Sequence, residues 1–112
     1  MNFKLGRIPV GANDFVTDWY SFDETPGDLE LKNFSILRDK NKLIPFIKTV
    51  ASHSKKTPTF MANPWSPPTW MKFPNAYNYG TLKDDKEIKK AYAQYFVKFI
   101  NVHNLRKIPV NL

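Results

Sequence analysis

The chain has 112 residues, of which 42% are apolar and 15% aromatic, enough for the core of one domain or of part of one. The aromatic content argues against intrinsic disorder, because disordered chains lack the large rings whose burial offsets the entropy of ordering. No run reaches the roughly 18 apolar residues that cross a bilayer, and the first residues do not form a signal peptide. Cysteine is absent, which excludes disulfides and thiolate chemistry.

The net charge of +7 is unevenly distributed, because six of the ten acidic residues fall within the first 30 positions. The basic remainder raises the hypothesis of a protein that binds nucleic acid or anionic membranes. The lysines are scattered and no groove-binding or base-stacking motif accompanies them, so solvated helix faces explain them better and no nucleic-acid partner is expected. His53 and His103 lie far apart without a carboxylate at metal-ligand spacing, which predicts surface or helix-end positions and no metal site.

The first half of the chain reads as a strand, a long loop and a helix. A short apolar run bounded by glycines predicts a strand at residues 7–10. Residues 11–37 show no sustained period and are rich in turn-forming residues, which predicts a long loop. Apolar residues then recur at three- and four-residue spacings over residues 40–54 and predict one amphipathic helix.

The second half repeats this order. Residues 59–62 form a candidate buried strand, and the prolines within residues 63–70 predict a stiff loop that ends it. Asp84 and Glu87 have the spacing of a capping box, and apolar residues at helical intervals from Ile88 to Val102 predict a helix. Residues 108–112 read as the start of a further strand.

The order of these elements is typical of consecutive βα units in a parallel sheet. A (β/α)₈ TIM barrel needs about 250 residues and eight strands, so this α/β chain can form only part of one and cannot close it. We therefore expect open strand edges and exposed apolar faces.

Ligands of parallel α/β folds bind at the carboxyl ends of the strands, where this sequence places a carboxylate and large rings. Asp14 and Phe15 follow the first predicted strand, and Trp65 and Trp70 follow the second. A carboxylate that accepts hydroxyl hydrogen bonds beside aromatic rings suits a pyranose. Two plainer interpretations stay open at this point, in which Asp14 caps a turn and the tryptophans belong to the core.

Seven segments, in order, resemble the glucosylceramidase family of glycoside hydrolases, glycoside hydrolase family 30. The segments are RIPV at 7–10, NDF at 13–15, DETPGD at 23–28, NFSI at 33–36, NPWSPPTWMK at 63–72, GTLK at 80–83 and YFVKF at 95–99. The resemblance implies that residues 1–112 are a fragment of the TIM-barrel catalytic domain, from about its second strand to the start of its fourth. It also implies retaining hydrolysis of the β-glucosidic bond of glucosylceramide to glucose and ceramide.

The resemblance further implies roles for five residues. Asp14 would accept hydrogen bonds from glucose hydroxyls, and Trp65 would line the sugar site. Phe15 would border the pocket. Arg7 would lie beneath the catalytic carboxylates as a supporting cation, and Trp70 would support its loop by packing. No cofactor is implied.

Both catalytic glutamates of the family are missing from this chain. The acid/base residue stands in an Asn-Glu-Pro element after the fourth strand and the nucleophile follows the seventh, and neither element occurs here. We therefore expect the isolated chain to be inactive, since retaining hydrolysis needs two carboxyl groups. The alternatives are a non-catalytic glucoside- or glycolipid-binding fragment and a truncated gene product without function.

Asn33 begins the only N-glycosylation sequon, Asn-Phe-Ser. In this family the sequon fits a lysosomal or secreted full-length parent, although this chain has no signal peptide of its own. A lipid membrane surface and an activator protein are the further partners that the resemblance suggests for such a parent.

Overall fold

The computed structural model describes residues 3–108, 110 and 111, which form two βα units and the start of a third. A parallel sheet has the order β1-β2-β5, and a small antiparallel sheet pairs β3 with β4. The elements in chain order are β1 (Leu5–Val10), α1 (Leu37–Asn41), α2 (Leu43–Ser52), β2 (Thr59–Pro64), a 3₁₀ turn (Thr69–Met71), β3 (Lys72–Phe73), β4 (Thr81–Leu82), α3 (Lys86–Leu105) and β5 (Val110–Asn111). The predicted partial, unclosed barrel is confirmed.

The two faces of the parallel sheet have opposite environments. Ile8 and Val10 of β1 are buried under the helices, and Phe60 of β2 is buried on the same side. On the other face Leu5 and Met61 are exposed, although this face would look into the interior of a closed barrel. The predicted exposure of apolar strand faces is therefore confirmed.

An aromatic cluster fixes the long loop between β1 and α1 onto α3. Phe22 of the loop stacks on Phe99 of α3 with ring centroids 5.4 Å apart, and its backbone N–H donates to the Tyr95 hydroxyl over 3.0 Å. Leu31 and Ile36 of the same loop are buried in this core. A loop without periodic structure is thus ordered by its own apolar residues.

The prediction of one continuous helix over residues 40–54 is wrong. The structure has α1 and α2 instead, with Lys42 between them in a non-helical conformation. Pro45 explains the break, because proline has no N–H to bond the carbonyl of Asn41 and its ring would clash there. In the first turn of a new helix the same proline is tolerated, since that N–H has no helical partner.

The start of α3 also differs from its prediction by one residue. Asp85, and not Asp84, is the N-cap, and its Oδ1 accepts the Ile88 N–H over 3.0 Å. Asp84 instead forms an exposed ion pair with Lys89. Among the described residues, no helix is both long enough and apolar enough to cross a membrane.

Strand β2 runs two residues beyond its predicted end at Ala62. Asn63 and Pro64 pair in register with Pro9 and Val10 of β1. Beyond Met61 the only described neighbour of β2 is β1, so the missing N–H of Pro64 interrupts a one-sided ladder.

The short hairpin of β3 and β4 was not predicted, since strands of two residues have no readable alternation. Of the last predicted strand, residues 110 and 111 pair with β2, while residues 109 and 112 lie outside the described residues.

Candidate functional site

The loops after β1 and β2 begin side by side, because the two strands are parallel and Val10 is in register with Pro64. A shallow cavity of about 130 Å³ lies where they begin. Its lining consists of Arg7, Ile8, Pro9, Asn13, Phe15, Asn63 and Trp65. The carboxyl edge of the sheet, where ligands of such folds bind, therefore holds a cavity with both amide and aromatic side chains.

Three of the predicted site residues line this cavity together. Phe15 is 90% exposed and Trp65 is 44% exposed, so both rings can be reached from solvent. Arg7 lies on the uncovered face of β1, also exposed. These side chains offer two ring faces and a guanidinium with several donors, a set that suits a ring bearing hydroxyl groups.

Asp14 stands at the rim of the cavity and does not line it. Its carboxylate is exposed, and its chain neighbours Asn13 and Phe15 both contribute to the wall. The Asn13 Oδ1 accepts the Phe15 N–H over 2.9 Å and closes a tight turn around Asp14. The side chains of Asn13 and Asn63 were not predicted, although Asn13 follows the end of β1 by three residues and Asn63 is the second-last residue of β2.

Trp70 lies in the core and connects the two loops. Its indole N–H donates to the backbone carbonyl of Asp23 over 3.0 Å. Next to it, the Glu24 carboxylate accepts the Thr69 N–H over 3.2 Å and also the Thr69 hydroxyl. These hydrogen bonds link the DETPGD and WSPPTW segments to each other.

Lys72 is a buried cation that links the loop after β2 to the β3–β4 hairpin loop. Its side chain is buried, and its ammonium donates to the Ser66 hydroxyl over 3.1 Å and to the Tyr77 carbonyl over 3.0 Å. Burial lowers the pKa of the Lys72 ammonium. The residue next to Trp65 is therefore held to the β3–β4 hairpin loop by a cation that the sequence analysis did not single out.

A pair of acids lies in the first loop outside the cavity. Asp23 is buried, and its burial raises the pKa of its carboxyl group, with Asp28 within hydrogen-bonding reach. The Asn33 N–H donates to Asp28 over 2.8 Å and holds the pKa of Asp28 below its usual range. Asn33 itself is exposed.

The two histidines have different environments. His53 is exposed at the end of α2, as predicted. His103 is fully buried in the last turn of α3, so the surface alternative is wrong for it, and its Nε2 lies 3.5 Å from the Asp39 carboxylate. Tyr20 donates to the same carboxylate over 3.2 Å, and burial together with Asp39 raises the pKa of Tyr20.

The described residues contain no group of three or more histidine, cysteine, aspartate or glutamate side chains that could hold a metal ion.

None of the three glutamates lines the cavity. Glu24 is engaged by Thr69, Glu30 pairs with Lys32 over 2.8 Å, and Glu87 lies in the first turn of α3. Among the described residues, the cavity wall thus contains no carboxyl group.

The fold defines the class, a piece of a (β/α)₈ barrel with a shallow cavity at the carboxyl edge of its sheet. The chain belongs to glycosyl hydrolase family 30, whose TIM-barrel domain model matches residues 1–110. The resemblance stated from the sequence segments is therefore confirmed.

Individual relatives span the chain nearly end to end. The lysosomal acid glucosylceramidase of Mus musculus is 33% identical over 107 residues, covering 92% of this chain and 21% of its own length. The endo-1,6-beta-D-glucanase of Neurospora crassa is 30% identical over 117 residues, covering 98% of this chain and 24% of its own. The crystal structure of SrfJ from Salmonella typhimurium superposes with a TM-score of 0.85 at 30% identity, covering 96% of this chain and 24% of that one. The chain thus spans about a fifth to a quarter of the length of these relatives.

Proposed function

We propose that this chain contributes the glucose-contacting part of a family 30 glycosidase that acts on β-glucosides. The cavity at the carboxyl edge of β1 and β2 supports the proposal, because it combines exposed rings with hydrogen-bonding side chains. The similarity to glucosylceramidase favours glucosylceramide, cleaved with retention to glucose and ceramide. The similarity to an endo-1,6-β-glucanase adds β-1,6-linked glucose oligosaccharides to the compounds that need testing.

In this proposal each site residue has a separate role. Trp65 covers the apolar face of the glucose ring and Phe15 borders it. Asp14, at the rim, accepts hydrogen bonds from the sugar hydroxyls, which are strong because the acceptor is charged. Arg7 supplies a cation on the face of β1 that would lie inside the barrel, and Trp70 supports the second loop from the core.

We further propose that the isolated chain does not hydrolyse glycosides. A retaining mechanism needs a nucleophile and an acid/base carboxyl group about 5–5.5 Å apart. The described cavity wall has no carboxyl group, and Asp14 at its rim is a single one. Catalysis would require carboxyl groups from barrel strands that this chain does not contain.

For a full-length parent, the same similarity suggests a lysosomal or secreted enzyme that meets its substrate at a lipid membrane surface with an activator protein. The exposed position of Asn33 on the first loop is compatible with glycosylation.

A second candidate is a glucoside-binding fragment without any catalytic role. The hydrogen bonds of Trp70 and Glu24 between the two loops favour this candidate, because they give the cavity fixed walls although the sheet is open. A truncated product without function is the remaining alternative.

Sugar binding by the purified chain is the test. In NMR titrations with methyl β-D-glucopyranoside, we expect Asp14→Ala and Trp65→Ala each to weaken binding at least about tenfold, since each removes a direct contact. Phe73→Ala is the matched control, an exposed aromatic residue on β3 outside the cavity, and should leave the affinity unchanged. Equal affinities for the wild-type chain and Asp14→Ala would contradict the proposed role of Asp14.

A further inference from the structure

A second pair of aromatic rings lies on the two loops that follow β1 and β2. Trp19, from the first loop, stacks on Tyr77, from the loop between β3 and β4, with ring centroids 5.7 Å apart and planes inclined by 22°. Trp19 nevertheless stays 51% exposed. Each stacked ring covers only one face of the other, so the pair presents open ring surface to solvent.

The side chains on both sides of Trp19 contact one guanidinium group. Arg38 of α1 pairs with the Asp18 carboxylate over 3.0 Å and lies over the Tyr20 ring at 4.3 Å from its centroid. Asp18 and Tyr20 are the two chain neighbours of Trp19. The indole therefore lies between two residues whose side chains already contact α1, which reduces the entropy lost when a ligand orders it.

Tyr77 is held just as firmly. Its carbonyl accepts the Lys72 ammonium over 3.0 Å, and its hydroxyl is near the Glu24 carboxylate. Burial, together with Glu24, raises the pKa of the Tyr77 hydroxyl. The backbone that carries the Tyr77 ring is thus linked to the buried Lys72.

We propose that the Trp19–Tyr77 pair is a second sugar-binding platform, which stacks on a pyranose ring linked to the glucose held at the Trp65 cavity. This inference rests on the proposed function, because it extends the same glucoside site by one sugar unit. The chain places the two sites on one rim. Trp19 follows Phe15 by four residues, and Lys72 joins Tyr77 to Ser66, the neighbour of Trp65.

The polar groups beside the rings favour a sugar over a lipid chain. The Asp18 side chain is largely exposed and that of Arg38 is about half exposed, so the carboxylate and the guanidinium keep acceptor and donor positions that solvent or a ligand can reach. A pyranose uses both an apolar ring face and hydroxyl partners at its edge, whereas an acyl chain would leave these charges without partners.

Gentiotriose, a β-1,6-linked glucose trisaccharide, and methyl β-D-glucopyranoside are the two probes. In NMR titrations of the 112-residue chain, we expect Trp19→Ala to weaken gentiotriose binding about tenfold and to leave the monosaccharide affinity unchanged. Trp19→Phe, which keeps an aromatic face, should recover part of the loss. Tyr79→Ala is the matched control, an exposed aromatic residue on the same hairpin loop outside the stack. Circular dichroism checks that each variant is folded.

The outcomes separate this inference from the proposed function. If Trp19→Ala and Tyr79→Ala bind gentiotriose alike, or if Trp19→Ala weakens both probes equally, the second platform is wrong and the glucose site stands. If Trp19→Ala weakens gentiotriose binding but Trp65→Ala does not, the proposed glucose site fails, and with it the inference that the platform extends that site. If the wild-type chain binds neither probe, or if Trp19→Ala reduces binding to phosphatidylcholine vesicles instead, the platform is overturned.

Discussion

Replacing Phe99 with alanine should lower the free energy of unfolding by about 3–5 kcal/mol, the cost usual for a large buried aromatic side chain. Phe99 is 0% exposed and contacts Phe22 at 5.4 Å and His103 at 4.1 Å between ring centroids. Its loss would open a cavity between α3 and the long loop. Urea unfolding followed by circular dichroism measures the change, and a chain with an uncovered sheet face is expected to lose most of its folded population.

Val97→Ala provides the control on the same helix. Val97 lies two residues before Phe99 and is largely exposed, so its truncation should change the free energy of unfolding by at most about 0.5 kcal/mol. Equal destabilisation by the two substitutions would mean that α3 does not pack on the long loop as described.

Asp39→Ala should lower the free energy of unfolding about as much as Phe99→Ala does, by about 3–5 kcal/mol. The buried Asp39 carboxylate accepts the Tyr20 hydroxyl and faces His103 Nε2 at 3.5 Å. Alanine would leave the partly buried Tyr20 hydroxyl without its acceptor and would remove the carboxylate that faces the buried His103 ring, where unpaired polar groups are costly. Asp39→Asn, which keeps one carbonyl acceptor, should fall between the wild-type chain and Asp39→Ala in urea unfolding.

Asp18→Ala is the matched control, because it removes a carboxylate that forms an exposed ion pair with Arg38. Exposed ion pairs contribute little to stability, so we expect the free energy of unfolding to fall by at most about 1 kcal/mol. If Asp39→Ala were no more destabilising than Asp18→Ala, the Asp39 carboxylate would have to be solvated, and the packing of α1 against α3 would be incorrect.

The main elements were predictable because they depend on local pattern. Apolar residues at helical spacing identified α3, and the short apolar runs identified β1 and β2. Since consecutive parallel strands place their carboxyl ends together, the loops that form the cavity also followed from the sequence. Phe15 and Trp65 were found this way, and the family resemblance then supported the sugar site that their position had suggested.

Contacts between distant segments could not be predicted. Asp39 lies in a highly charged stretch and gives no sign that it is buried against His103, which is 64 residues further along the chain. The break at Lys42 depends on Pro45 alone. The prediction missed it because the helical spacing of apolar residues continues across that proline. Lys72 looks like a surface lysine in the sequence and is buried only because the hairpin loop folds over it.

The central proposal is that the isolated chain has no pair of carboxyl groups for retaining hydrolysis, and turnover is its direct test. The measurement is release of 4-methylumbelliferone from its β-D-glucopyranoside by the purified 112-residue chain. We predict a rate equal to that of buffer alone. Saturable turnover that persists in Asp14→Ala would contradict this, because the chain would then contain a reacting pair of carboxyl groups that neither its sequence motifs nor its cavity provides.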